Sequence, residues 1–123
     1  MKLRFRQNSL RLRVNQREVD ELAAGTALQE DVSFPGNARM RYILEPYGHN
    51  TAAASFEGGV IRVSAPGSDV REWANSQAIG MYFDLPADGS LLRVAIEKDL
   101  ECVDGPPEER DPHAFPRSGD KTC

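Results

Sequence analysis

In "LRFRQNSLRLRV" the apolar residues Leu3 and Phe5, then Leu10, Leu12 and Val14, recur at every second position. That is the pattern of strands with one face against a core. Gln7, Asn8 and Ser9 between the two runs supply turn chemistry, so the segment reads as a hairpin. The period then lengthens. Asn15 is a good N-cap with Glu18 three residues on, while Val19, Leu22 and Ala23 share one helical face and Gly25 supplies a stop. A helix of two to three turns is too short to stand without packing on a sheet. Alternation returns from Leu28 to Phe34, "PGNA" forms a turn, and Met40, Tyr42 and Leu44 line one side of the next strand.

The order strand, strand, helix, strand, strand is then read a second time. Phe56 aligns with Phe5, and Ile61, Arg62, Val63 and Ser64 follow like Leu12, Arg13, Val14 and Asn15. Ser68 is a candidate cap for a second helix in which Val70, Trp73 and Ala74 take the places of Val19, Leu22 and Ala23. Phe83 then falls on Val32, Leu85 on Phe34 and Pro86 on Pro35, and "LRVAIE" from Leu92 matches "MRYILE" from Met40. Residue type, turn position and element order agree together, which is the signature of an internal duplication.

Two copies are too few for a solenoid. Two half-units, 1–45 and 54–102, joined by a linker at 46–53, predict one domain over 1–102 of β-rich α+β class. Each half is expected to offer one apolar sheet face, and the two to pack face to face around a pseudo-twofold axis. The product is a small sandwich or barrel of about eight strands with two short helices closing its ends. Residues 103–123, "DGPPEERDPHAFPRSGDKTC" from Asp104 onward, are rich in proline and acid and read as an extended tail ordered only where a side chain such as Phe115 docks.

Composition narrows the class. The 40% apolar and 28% charged content is that of a globular domain, and no run approaches the roughly 20 apolar residues of a membrane span. The N-terminus alternates apolar and cationic residues where a secretory signal would carry an apolar run. A cytoplasmic protein is expected, and abundant Arg, Ala, Gly and Pro would suit a GC-rich bacterium.

Charge changes the picture more than its sum of −4 suggests. Lys2, Arg4, Arg6, Arg11, Arg13 and Arg17 crowd the first seventeen residues without an acid, whereas Glu97, Asp99, Glu101, Asp104, Glu108, Glu109 and Asp111 crowd the other end. If Leu3, Phe5, Leu10, Leu12 and Val14 face inward, Arg4, Arg6, Arg11 and Arg13 share the outer face of one hairpin. Like charges so close call for anions. One source is internal: Glu97, Asp99 and Glu101 share a face of the last strand and are expected to form salt bridges with the arginines. The other source is a bound anion, for which arginine offers bidentate geometry to phosphate; on this reading Arg4, Arg6, Arg11 and Arg13 are nucleic-acid or anion-binding candidates.

Two resemblances bear on this. The strand–helix–strand stretches "SLRLRVNQREVDELAAGTALQEDV" and "GVIRVSAPGSDVREWANSQAIGMYF" resemble the swapped-hairpin (AbrB-like) DNA-binding domains of bacterial transition-state regulators and antitoxins, whose two chains interleave into one barrel. In that family a proline opens the helix directly after the strand; Asn15 and Gln16 stand there in the first half, and Pro66 is near it in the second. Over nearly the whole chain, the basic hairpin "MKLRFRQNSLRLRV", the "IEKDLEC" segment with Glu97, Lys98, Asp99 and Cys102, the "AFPR" stretch and the last cysteine resemble an uncharacterised family of small bacterial proteins, a domain of unknown function. That resemblance implies a fold unit and no activity.

Other chemistry is sparse. Cys102, His113 and Cys123, with Asp111, could ligate zinc, but at a spacing unlike any compact knuckle, so no metal and no cofactor are expected. The two cysteines are expected to be free thiols. His49 and His113 stand outside any nucleophile elbow or phosphate loop, so an enzyme is not expected, and Trp73 reads as core. The expected role is a small non-enzymatic binding or accessory module, monomeric or homodimeric, with a protein partner. The alternatives are a DNA-binding regulator using the arginine face and, remotely, an enzyme acting on a small ligand.

Overall fold

The computed structural model describes residues 1–100, 113 and 115. The chain runs β1 (Lys2–Arg6), β2 (Ser9–Val14), α1 (Gln16–Ala23), β3 (Leu28–Phe34), β4 (Ala38–Tyr47), β5 (Ala53–Glu57), β6 (Val60–Pro66), α2 (Gly67–Ala74), β7 (Gly80–Ala87) and β8 (Ser90–Lys98). The element order is therefore the repeated one, and the segment read as a linker contributes its first residues to β4 and its last to β5.

The strands form two four-stranded sheets, β1-β2-β8-β7 and β3-β4-β6-β5, so the fold is an open sandwich and not a closed barrel. The halves are not stacked one sheet each. Every sheet takes one hairpin from each half, joined at its centre by a parallel pair, β2 with β8 in the first sheet and β4 with β6 in the second. The hairpins within a half point to different sheets because a helix, not a tight turn, separates them. A two-residue turn forces antiparallel pairing of neighbours, whereas α1 and α2 carry the chain across from one sheet to the other.

The registers correct the alignment of the two copies. Phe56 pairs with Ile61 as Phe5 pairs with Leu10, and Val63 with Leu44 as Leu12 with Ile96. A shift of fifty-one residues thus carries Leu12 onto Val63, Val14 onto Ala65 and Asn15 onto Pro66, where the sequence pattern had placed Ile61 on Leu12. Likewise Leu85 is the counterpart of Val32, and Phe83 of Glu30. Each misplacement is two residues long, a shift that leaves every side chain on its original face and is invisible to a period of two.

The corrected frame explains the helix starts. Asn15 closes a capping box: its side chain accepts from the Glu18 N–H at 2.9 Å, and its own N–H donates to Glu18 Oε1 at 3.0 Å. At the equivalent point α2 begins after Pro66, with no side-chain cap, and Ser68 lies inside the helix and does not cap it. Pro66, next to the first helical residue, ends β6 and carries no N–H to satisfy.

One core joins both sheets and both helices. Leu12, Val14 and Ile96 from the first sheet, Leu44, Val63 and Ala65 from the second, and Val19, Leu22, Val70 and Trp73 from the helices are all buried. Trp73 donates its indole N–H to the Ile79 carbonyl at 3.0 Å, so the polar atom of the largest core side chain is satisfied. Phe115 packs on the same core, its N–H donating to the Asp99 carbonyl at 2.8 Å. Phe5 faces inward by alternation yet stays 58% exposed, as do Phe34 and Phe56 in large part, because β1, β3 and β5 are edge strands; Leu10, opposite Phe5 on the inner strand β2, is buried. Among the described residues no helix is long and apolar enough to cross a membrane.

Candidate functional site

The outer face of the first sheet is built by alternation along four strands. β1 presents Lys2, Arg4 and Arg6; β2 presents Ser9, Arg11 and Arg13; β8 presents Arg93, Ala95 and Glu97; β7 presents Gly80, Tyr82 and Asp84. A shallow hollow of about 540 Å³ lies across it, lined by Arg4, Arg6, Arg11, Arg93, Tyr82 and Asp84.

The carboxylates are placed at one side of the cations. Glu97, directly opposite Arg13, lies 3.1 Å from Arg11 Nε and 3.7 Å from Arg13 Nε. Asp99 is buried and pairs with Lys2 at 2.7 Å, not with an arginine. Glu101 lies outside the described residues. Arg93 is loosely held by Asp84 at 3.9 Å. Arg4 and Arg6 make no ion pair among the described residues, and both are exposed. Of the four arginines singled out from sequence, Arg11 and Arg13 therefore have an internal partner, while Arg4 and Arg6 stand over the hollow.

Tyr82 and Arg93 belong to this face and were not singled out from sequence. The signal was present: in "GMYFDLP", Met81, Phe83 and Leu85 point inward, which puts Tyr82 outward with Gly80 two places before it. The Tyr82 hydroxyl donates to Glu97 Oε2 at 2.8 Å. Burial of that hydroxyl, and then its bond to the carboxylate, pushes the phenol above its ordinary value of 10.0.

The second sheet serves as an internal comparison. Arg62 and Glu45, 2.5 Å apart, occupy the places of Arg11 and Glu97, and Arg41 and Asp31, 2.7 Å apart, those of Arg93 and Asp84. These cross-strand pairs recur in both copies and belong to the sheet's own stability. The remaining cations do not recur. Ala53, Ser55, Glu57 and Ser64 stand where the first sheet has Lys2, Arg4, Arg6 and Arg13, and Gln29 stands for Tyr82.

The other sequence candidates are dispersed. Of the weak metal set, His113 is described and its carbonyl accepts from the Gln16 N–H at 2.7 Å; Cys102, Asp111 and Cys123 lie outside the described residues. Among the described residues no group of three His, Cys, Asp or Glu could hold a metal ion. His49 packs edge-on against Tyr47, with ring centroids 4.8 Å apart, beside a second hollow of about 400 Å³ that Arg71 and Ser68 also line. Lys98 is buried, donates to the Ser76 carbonyl at 2.9 Å and lies over the rings of Trp73 and Phe115.

No curated protein matches the chain, and no solved structure does. One family matches residues 1–118, which is nearly the whole length, as the resemblance to an uncharacterised family implied. The chain belongs to that family, described as a family of unknown function (DUF7009).

Proposed function

We propose that the protein is a non-enzymatic binding module that holds a polyanionic partner on the outer face of its first sheet. One observation carries the reading. The two copies share the ion pairs that the sheet needs, and only the first adds Lys2, Arg4, Arg6 and Arg13. Grouping arginines on one face costs repulsion, and an anionic ligand removes it. The interleaved hairpins also fit the swapped-hairpin resemblance, in which the ligand chemistry is phosphate. The sequence features favouring a bacterial cytoplasm place such a partner within reach.

The overall charge makes the test sharp, because a chain of net charge −4 is retained on a polyanion only through a local cationic patch. Heparin chromatography at low ionic strength should retain the protein, with release as salt rises. Arg4→Ser with Arg6→Ser should abolish retention, while Arg39→Ser on the second sheet should leave it unchanged. Failure of the native protein to bind at low salt would refute the proposal.

A further inference from the structure

The cationic face carries one feature that anion binding alone does not call for. Tyr82 is 63% exposed in the middle of an outer strand face, yet its position is fixed. Its hydroxyl is held by Glu97, and the phenol end of the ring lies over Gly80: a Cβ placed on that glycine would come within 2.6 Å of the hydroxyl oxygen and 2.8 Å of the carbon bearing it. The ring therefore lies along β7 instead of standing off it, seated where the strand has no side chain. An exposed aromatic laid on a sheet, ordered at one end by a carboxylate and at the other by its own backbone, is a stacking surface for a planar group.

Resting on the reading of the face as a polyanion site, we infer that its ligand is single-stranded nucleic acid, with a base stacked on Tyr82 and the backbone phosphates on Arg93, Arg6 and Arg4. Tyr82 sits on β7 and Arg4 and Arg6, unpaired among the described residues, on β1, at opposite edges of the sheet. Three interstrand steps separate them, about 14 Å. That span suits a strand of several nucleotides and exceeds what one nucleotide bridges. Between them Ser9 and Ala95 keep the floor low, while Arg11 and Arg93 flank it. In a duplex both faces of each base are covered, so stacking on Tyr82 requires an unpaired strand. The second sheet has Gln29 in place of Tyr82 and offers no such platform.

The test uses the full chain and measures fluorescence anisotropy of a short labelled oligothymidylate, a duplex of equal length, and competition by inorganic polyphosphate, which carries the charge without bases. The oligothymidylate should bind more tightly than either other probe. The logarithm of its affinity should fall with the logarithm of salt at a slope of about −2, for three phosphates neutralised. Tyr82→Ala should weaken oligothymidylate about tenfold and leave polyphosphate unchanged, while Tyr82→Phe, which keeps the ring, should retain most of the affinity. Gly80→Val, which unseats the ring without removing it, should reproduce the Tyr82→Ala result, and circular dichroism should show each variant folded. Equal binding of oligothymidylate and polyphosphate, with Tyr82→Ala silent on both, would overturn the stacking inference and leave the polyanion reading standing. Tighter binding of duplex than of single strand would overturn it too. Binding of no probe would overturn both.

Discussion

Glu97→Gln separates what the first sheet needs from what its face can bind. The carboxylate is 14% exposed, ion-pairs with Arg11 Nε at 3.1 Å and Arg13 Nε at 3.7 Å, and accepts a hydrogen bond from the Tyr82 hydroxyl at 2.8 Å. The glutamine keeps the shape and an acceptor for Tyr82, and loses the charge. Arg11 and Arg13 are 42% and 39% exposed, so water screens both pairs and each is discounted to about 0.2–1 kcal/mol. Weakening the Tyr82 bond from charged to neutral adds about 0.5–1 kcal/mol. The sum is about 1–3 kcal/mol, or a Tm lower by about 4–12 °C at roughly 4 °C per kcal/mol for a domain of this size. Trp73, the one tryptophan, is buried at the junction of α2 and the sheets and reports unfolding in urea directly. The midpoint should fall with the slope unchanged. Polyanion affinity should move the opposite way, because the guanidinium groups of Arg11, at the hollow, and Arg13, beside it on the same face, are released, steepening the single-strand salt slope by about 1.4. An unchanged midpoint, or an affinity that falls with stability, would refute the assignment of Glu97 as the internal counter-ion.

Three further outcomes are expected. Asn15→Ala removes the acceptor of the Glu18 N–H and should cost about 1 kcal/mol in chemical denaturation; no loss would mean that the capping box does not hold α1. Leu44→Ala, at the centre of the shared core, should cost about 2–5 kcal/mol, and a loss under about 1 kcal/mol would place Leu44 outside a closed core. In alkali two terms oppose each other. Burial lowers Lys98 from 10.5, so the folded state sheds that proton first and stability rises with pH as Lys98 titrates toward 10.5. Tyr42 and Tyr82 are raised from 10.0, chiefly by burial, so the stability they contribute is present below 10.0 and lost as pH climbs through their raised values. Urea midpoints across this range should lose the rise in Lys98→Met and part of the fall in Tyr82→Phe; a Lys98→Met curve superposing on the native one would refute the first assignment.

Element order, both helices, the hairpin turns and most of the core were legible because periodicity reports which residues face inward. Leu12, Val19, Leu44, Val70 and Ile96 are core residues for that reason. Periodicity does not report which hairpin pairs with which. The interleaving of β2 with β8 is a fact about chain connectivity through α1, and a pattern read within each half is blind to it. The same limit produced the two-residue misplacements at Ile61 and Phe83. Phe5 shows a further one: its alternation is correct, but exposure depends on whether its strand lies at the sheet edge or inside it. On the face, the arginines were legible as like charges at even spacing, whereas Tyr82 was masked by apolar neighbours that made it look like one more core residue.

The parallel pairing at the centre of each sheet sets the order in which a nascent chain can complete itself. Leu12 leaves the ribosome eighty-four residues before Ile96, its partner in the ladder. At about 5–20 residues per second β2 spends roughly 4–17 s with its inner edge unpaired. The second sheet completes early, since β4 and β6 are close in sequence, and the first must wait for the last strand. Its waiting hairpin is the most cationic segment in the chain, and charge on an open edge resists pairing with a neighbouring copy.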